Sequence, residues 1–245
     1  MGWPRLLVEL TEGKPEEVSM ESAAAARDDV AMPQDDTQLV RFPLSWNGYE
    51  GLVAALGDSH VRLAYDGETL EIMSPGYTHE KIARFIAAIL VYALDAWAID
   101  YEEAGATTFR RNPLGGFEGD ACFYVANAEA IRGLADIDLS LHPAPDLILE
   151  VDISNRRTDK TAIYEACGVT EFWRYDHAAG LVVLAMRDGA YAKVDSSVVV
   201  RGLPIQIVQA FIERFKAGER RPAIVLAVQQ WLRDNRHLHD SDVEF

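Results

Sequence analysis

Residues 145–176, PDLILEVDISNRRTDKTAIYEACGVTEFWRYD, constrain the fold more than any other stretch. Leu147, Ile148, Leu149 and Val151 form a short apolar run of the kind a strand buried on both faces shows. The following RRTDKTAIYEACG has helical spacing through Thr161, Tyr164, Ala166 and Cys167, with Gly168 as a left-handed stop. VTEFWRYD reads as a second strand. Strand, helix and strand in this order require a parallel crossover. Yet the first strand carries Glu150 and Asp152, and burying an unpaired carboxylate is costly. Those acids need a metal ion, a partner cation or a cleft open to water.

The remaining segments supply the sheet and its cover. Residues 11–37 are rich in acid, Ala and Pro without apolar periodicity, so residues 1–37 are expected to be a flexible leader. The domain is expected over 38–235, with 236–245 as a tail. LVRFPLSWNGYEGLVAAL predicts a short strand and a helix. VRLAYDGETLEIMSP predicts a hairpin turning at Asp66-Gly67, a pair that tolerates the positive φ of a tight primed turn. Ile82, Phe85, Ile86, Ile89, Leu90, Ala93 and Leu94 fall at helical spacing, with Thr78 as a candidate N-cap. Strand-like pieces IDYEEAG and TTFRR precede a Gly-rich loop, the short strand GDACFYVAN, a short helix and a polar loop. After the strand–helix–strand unit come a second Asp-Gly hairpin and two amphipathic helices. The expected class is α/β, a mixed sheet flanked by helices with additional hairpins.

Bulk properties narrow the function. A net charge of −16 argues against broad nonspecific binding to nucleic acid, although residues 1–37 alone contribute nine acids against three bases. Any phosphate-binding surface must then be a small patch. Only Cys122 and Cys167 occur, so a disulfide framework is not expected and a reducing, cytoplasmic setting is. There is no zinc pattern, phosphate loop or nucleophile elbow. Neither a signal peptide nor a membrane span is expected.

Chemistry therefore centres on acids. Glu150 and Asp152 are two apart and share one face of a strand. If the strand carrying Asp120 neighbours it, three carboxylates converge, and such a cluster repels itself without a cation or a proton. Carboxylate oxygens suit Mg²⁺ or Mn²⁺, which could hold a phosphodiester oxygen and activate water. Lys160 lies close enough to reach back towards the developing charge, and Arg156 and Arg157 lie in the intervening loop. Arg110 and Arg111 are weaker candidates for phosphate contacts. A plainer reading makes Glu150 and Asp152 salt-bridge partners of Arg156 or Arg157, and Lys160 a helix-surface lysine.

The hairpin LAYDGETLEIMSP, His79-Glu80 at the head of a long helix, TTFRR, the strand bearing Asp120, and PDLILEVDIS…DKTAIYEACGVTEFWRYD together resemble the Uma-two family of restriction-endonuclease-like proteins. The resemblance spans roughly Leu39 to Phe215. It implies the PD-(D/E)XK nuclease fold, with Asp120 and Glu150 as the metal-binding pair. Many nucleases of that fold continue Glu-x-Lys; here the position is Asp152, which makes Lys160 the candidate for a migrated catalytic lysine. Glu80 matches an acidic helix residue that some members use as an extra ligand or orienting group, and His79 could position a water or a phosphate. This chain departs in having Gly119 where the family usually has Pro. The function so implied is metal-dependent hydrolysis of DNA phosphodiesters, in an enzyme that can form a homodimer. The alternatives are a non-cutting nuclease-fold module and a hydrolase of small phosphodiesters.

Overall fold

The computed structural model describes residues 37–57, 61–111, 115–153 and 160–240. The first part of the chain carries β1 (Gln38–Pro43), α1 (Trp46–Leu56), β2 (Arg62–Tyr65), β3 (Thr69–Ser74) and the long helix α2 (Tyr77–Trp97). The middle carries β4 (Glu102–Glu103), β5 (Phe109–Arg111), β6 (Gly115–Phe117), β7 (Ala121–Tyr124), α3 (Ala128–Ile131) and β8 (Leu147–Asp152). Then follow α4 (Thr161–Cys167), β9 (Glu171–Asp176), β10 (Gly180–Arg187), β11 (Ala190–Val194), α5 (Ile205–Lys216), α6 (Arg221–Asp234) and α7 (Arg236–Asp240). All but Thr37 of the expected leader lies outside the described residues, as do Arg156 and Arg157.

The strands form two sheets. A mixed six-stranded sheet runs β11-β10-β9-β8-β7-β4, and a five-stranded sheet runs β1-β3-β2-β6-β5. Within the first, β8 and β9 pair in parallel, from Leu147 opposite Glu171 to Asp152 opposite Asp176. The other pairs are antiparallel, including β7 on β8 with Ala121 opposite Leu149. Thus β8 is an interior strand, and its alternation divides two cores. Leu147, Leu149 and Val151 join the core built with α2, α5 and α6. Ile148 joins the opposite core with Cys122, Tyr164 and Phe172. Helix α2 follows the same logic, burying Ile82, Phe85, Ile86, Ile89, Leu90, Ala93 and Leu94 along one stripe.

Four local features differ from the sequence reading, each for a physical reason. The Gly-rich loop contains β6, because a side chain there would collide with its neighbours. A Cβ on Gly116 would lie 2.0 Å from the Tyr49 hydroxyl, and one on Gly115 2.1 Å from the Tyr65 carbonyl. Thr78 is buried inside α2, whose N-cap is Gly76. In the first hairpin only Gly67 has positive φ; Asp66 instead accepts hydrogen bonds from the amides of Glu68 at 3.0 Å and Thr69 at 2.7 Å. The second hairpin has both Asp188 and Gly189 at positive φ, as a primed turn requires. Finally, residues 236–240 are helical, with the His239 ring stacked on Trp97 at 5.5 Å.

Candidate active site

The chain crosses from the five-stranded sheet to the six-stranded one through Glu118-Gly119-Asp120, between β6 and β7. At this crossing the Asp120 amide donates to the Leu149 carbonyl at 2.9 Å. Its carboxylate turns back, Oδ2 accepting the Val151 amide at 2.7 Å. The paired register ends at Ala121 opposite Leu149, and Asp120, bonded to both Leu149 and Val151, lies beside Glu150 at that end of the pair. Two acids thus lie close along the backbone at this end of β7 and β8, both largely buried. Space at the crossing is tight: a Cβ on Gly119 would approach Ile148 Cγ2 to 2.7 Å and Cys122 Sγ to 2.9 Å. The glycine found there suits the packing of Ile148 and Cys122 in this chain.

Each acid has its own partners. His79, from the first turn of α2, brings Nε2 within 2.8 Å of the Val151 carbonyl and 3.2 Å of Asp120 Oδ2. Both neighbours are acceptors, so Nε2 carries the proton. With 1% of its side chain exposed, His79 fixes Asp120 and the end of β8 from inside the protein. On the other side, Lys160 Nζ donates to Glu150 Oε1 at 2.9 Å and to the Glu118 carbonyl at 3.3 Å. The Tyr164 hydroxyl donates to the same Glu150 oxygen. Lys160 immediately precedes α4 and Tyr164 lies one turn further on, so both side chains face β8. Lys160 and Glu150 are each 8% exposed, which makes theirs a buried ion pair.

Arg62 and Glu80 complete the surroundings. Arg62 Nη2 lies 3.2 Å from Glu80 Oε1, and its Nε lies 3.9 Å from Asp120 Oδ1. Arg84 reaches the other Glu80 oxygen at 3.6 Å. Glu118 accepts hydrogen bonds from the Leu63 amide at 3.2 Å and from the Thr108 hydroxyl. Desolvation pushes its carboxyl above the ordinary value of 4.5, against the pull of those donors and of Arg62 and Lys160.

The candidate residues therefore divide. Asp120, Glu150, Lys160 and His79 meet around the ends of β7 and β8, and Glu80 joins them through Arg62. Asp152 lies two residues beyond Glu150, half-buried and opposite Asp176. Arg111 donates to the Ala166 carbonyl at 2.7 Å, at the far end of α4 from Lys160. Arg110, half-buried beside it on β5, pairs in register with Gly116. Mg²⁺ and Mn²⁺ take hard oxygen donors, commonly one or two carboxylates with waters filling the remaining positions. Asp120 and Glu150 are donors of that kind. No group of three or more His, Cys, Asp and Glu side chains is disposed to hold a metal among the described residues. The fit is consequently to a two-carboxylate site.

Tyr164, Arg62 and Glu118 were not singled out as functional from the sequence. Tyr164 carries a usable signal, standing four residues after Lys160 on the helix that follows the acidic strand. Arg62 carries none, because only the meeting of the two sheets brings β2 to Asp120.

Among the described residues, no helix is long and apolar enough to cross a membrane. No curated protein matches the chain. A solved structure from Anabaena variabilis, described as a "putative nuclease belonging to DUF820", matches with a TM-score of 0.50 at 12% identity. The match covers 69% of this chain and 99% of that one, and shows the shared fold. A family model described as "Putative restriction endonuclease" matches residues 50–215, a segment that contains the acid pair, Lys160, Tyr164 and both sheets apart from β1. The chain belongs to this Uma2 family of nuclease-like proteins.

Proposed function

We propose that the protein is a Mg²⁺- or Mn²⁺-dependent hydrolase of DNA phosphodiesters. The observation that carries this reading is the pair of buried acids at the end of β8, Glu150 holding Lys160 at 2.9 Å and Asp120 taking the Val151 amide at 2.7 Å. Asp120 and Glu150 would hold the ion. When bound, it would supply Lewis-acid polarisation of a phosphodiester oxygen and a lowered pKa for an attacking water. The surrounding residues have separable tasks. His79 and the Val151 amide fix the Asp120 carboxylate, while Tyr164 fixes that of Glu150. Lys160, held between Glu150 and the Glu118 carbonyl, keeps a positive charge where the transition state gathers negative charge. Asp152, at the mouth of the same strand, would orient water, and Glu80 would act through Arg62.

The test compares wild type with Glu150→Ala on supercoiled and single-stranded DNA in Mn²⁺, Mg²⁺ or EDTA. Metal-dependent cleavage should fall ~10²–10³-fold in the variant, the scale expected when a principal stabiliser of transition-state charge is lost. A folded wild type that leaves both DNAs intact in every condition rejects the reading. Cleavage of a chromogenic phosphodiester but not of DNA would favour a small-molecule substrate.

A further inference from the structure

Arg62 lacks a hydrogen-bond partner for one of its buried donors. Its side chain is 15% exposed, and its Nε is buried without such a partner. Asp120 Oδ1 lies 3.9 Å from it, an ion-pair distance rather than a hydrogen bond. One end of the guanidinium is anchored on Glu80 at 3.2 Å. A buried donor left unmade is costly, and a ligand oxygen arriving there would recover that cost. There is room for approach, since Arg62 walls a polar cavity of about 240 Å³ together with Thr107, Thr108 and Glu118. Glu118 precedes the metal-binding candidate Asp120 by two residues, and Arg62, which lines the cavity, is the side chain that links it to Asp120.

We infer that Arg62 is the substrate-phosphate grip of this cleft, receiving the non-bridging oxygens of the phosphodiester presented to Asp120 and Glu150. The inference rests on the nuclease reading above and adds its substrate-binding cation. Three features favour this role over a purely structural one. Glu80 holds the guanidinium from the solvent side while its Nε edge turns inward. A planar fork can meet two phosphate oxygens at once, which a lysine cannot. The protein is acidic overall, so one well-placed arginine counts for more than it would on a basic surface.

The experiment measures duplex DNA binding by fluorescence anisotropy from 50 to 200 mM salt, with Ca²⁺ replacing Mg²⁺ to prevent cutting. Wild type, Arg62→Gln and Arg62→Lys are compared, with Mn²⁺ titration and thermal melting of each. In Arg62→Gln the slope of log K against log salt should shrink by about 0.9, one phosphate contact. Arg62→Lys should keep the wild-type slope and bind more weakly than wild type, because charge is retained and the fork is lost. Mn²⁺ affinity should hold or rise in Arg62→Gln, since a cation beside Asp120 is gone. Unchanged binding and slope in Arg62→Gln would overturn the inference and leave the nuclease reading intact. A loss of Mn²⁺ affinity with a lowered melting point would make Arg62 a scaffold residue and overturn it too. A wild type that binds no DNA would overturn both, whereas an Arg62-dependent slope without cleavage in Mg²⁺ would sink only the catalytic reading.

Discussion

The two ends of the parallel pair β8–β9 both hold buried carboxylates, in opposite settings. At the start of the strands, Glu171 is fully buried. It accepts from Trp173 Nε1 at 2.5 Å, Ser197 Oγ at 2.7 Å and the Val198 amide at 2.5 Å. Next to it, Asp146 accepts from the Val125 amide at 2.7 Å, the Asn127 amide at 3.0 Å and the Asn127 side chain at 2.8 Å. Each of these donors is neutral. Towards the finish of β8, Glu150 and Asp120 meet Lys160, His79 and Arg62, side chains that carry or can take a charge. Burial alone therefore does not mark a working acid. On the proposed reading the kind of partner does: neutral donors tie loops together, whereas long cationic side chains can exchange one anion for another. It also fits the general habit of α/β sheets to bind ligands beyond the carboxyl ends of their strands.

The sharpest challenge to this contrast is Glu171→Ala. It would leave several buried donors unsatisfied and should cost about 3 kcal/mol or more in chemical denaturation, with cleavage per folded molecule unchanged. A large catalytic loss at wild-type stability would erase the distinction between the two ends. Next in size is Tyr164→Phe, which removes one donor from Glu150 and leaves Lys160 in place. Cleavage should fall ~10–100-fold and Mn²⁺ affinity should weaken, as happens when a ligand's supporting hydrogen bond is lost; equal rates would show that Lys160 alone orients the carboxylate.

The smallest expected effect concerns Glu118. Burial raises its folded pKa above the ordinary 4.5, so the folded state favours its protonated form. That contribution is fully present below the unfolded value and is lost as pH rises through the folded value. Glu118→Gln lacks this loss, and its amide can still serve Leu63 and Thr108. Relative to wild type, its melting temperature should therefore improve as pH increases above about 4.5. A difference independent of pH would show that Glu118 ionises as easily folded as unfolded.

How much of this was legible in the sequence depended on whether the cause was local. The strand–helix–strand unit, both Asp-Gly hairpins and the stripe of α2 are written in spacing, and the structure has them. The neighbouring of Asp120 and Glu150 could be posed only as a condition, since β7 and β8 are joined by a loop and a short helix whose path no local pattern fixes. Lys160 was legible as a cation after an acidic strand, and it meets Glu150. Strand β6 was hidden because glycine is poor in strands as a rule. Its reason for being there, the ring of Tyr49, is distant in sequence. Arg62 and the donors to Glu171 were hidden likewise, for they come from other segments altogether.

The crossing at Glu118-Gly119-Asp120 also has a meaning for the order of folding. Asp120 finds the Val151 amide only after β7 has paired with β8, and Arg62 reaches it only after the second sheet has come alongside. Contacts so distant in sequence form slowly compared with a hairpin or a helix turn. Whatever chemistry the cleft performs thus begins late in the life of a newly made chain, and an incompletely folded copy carries the acids without the tool they make.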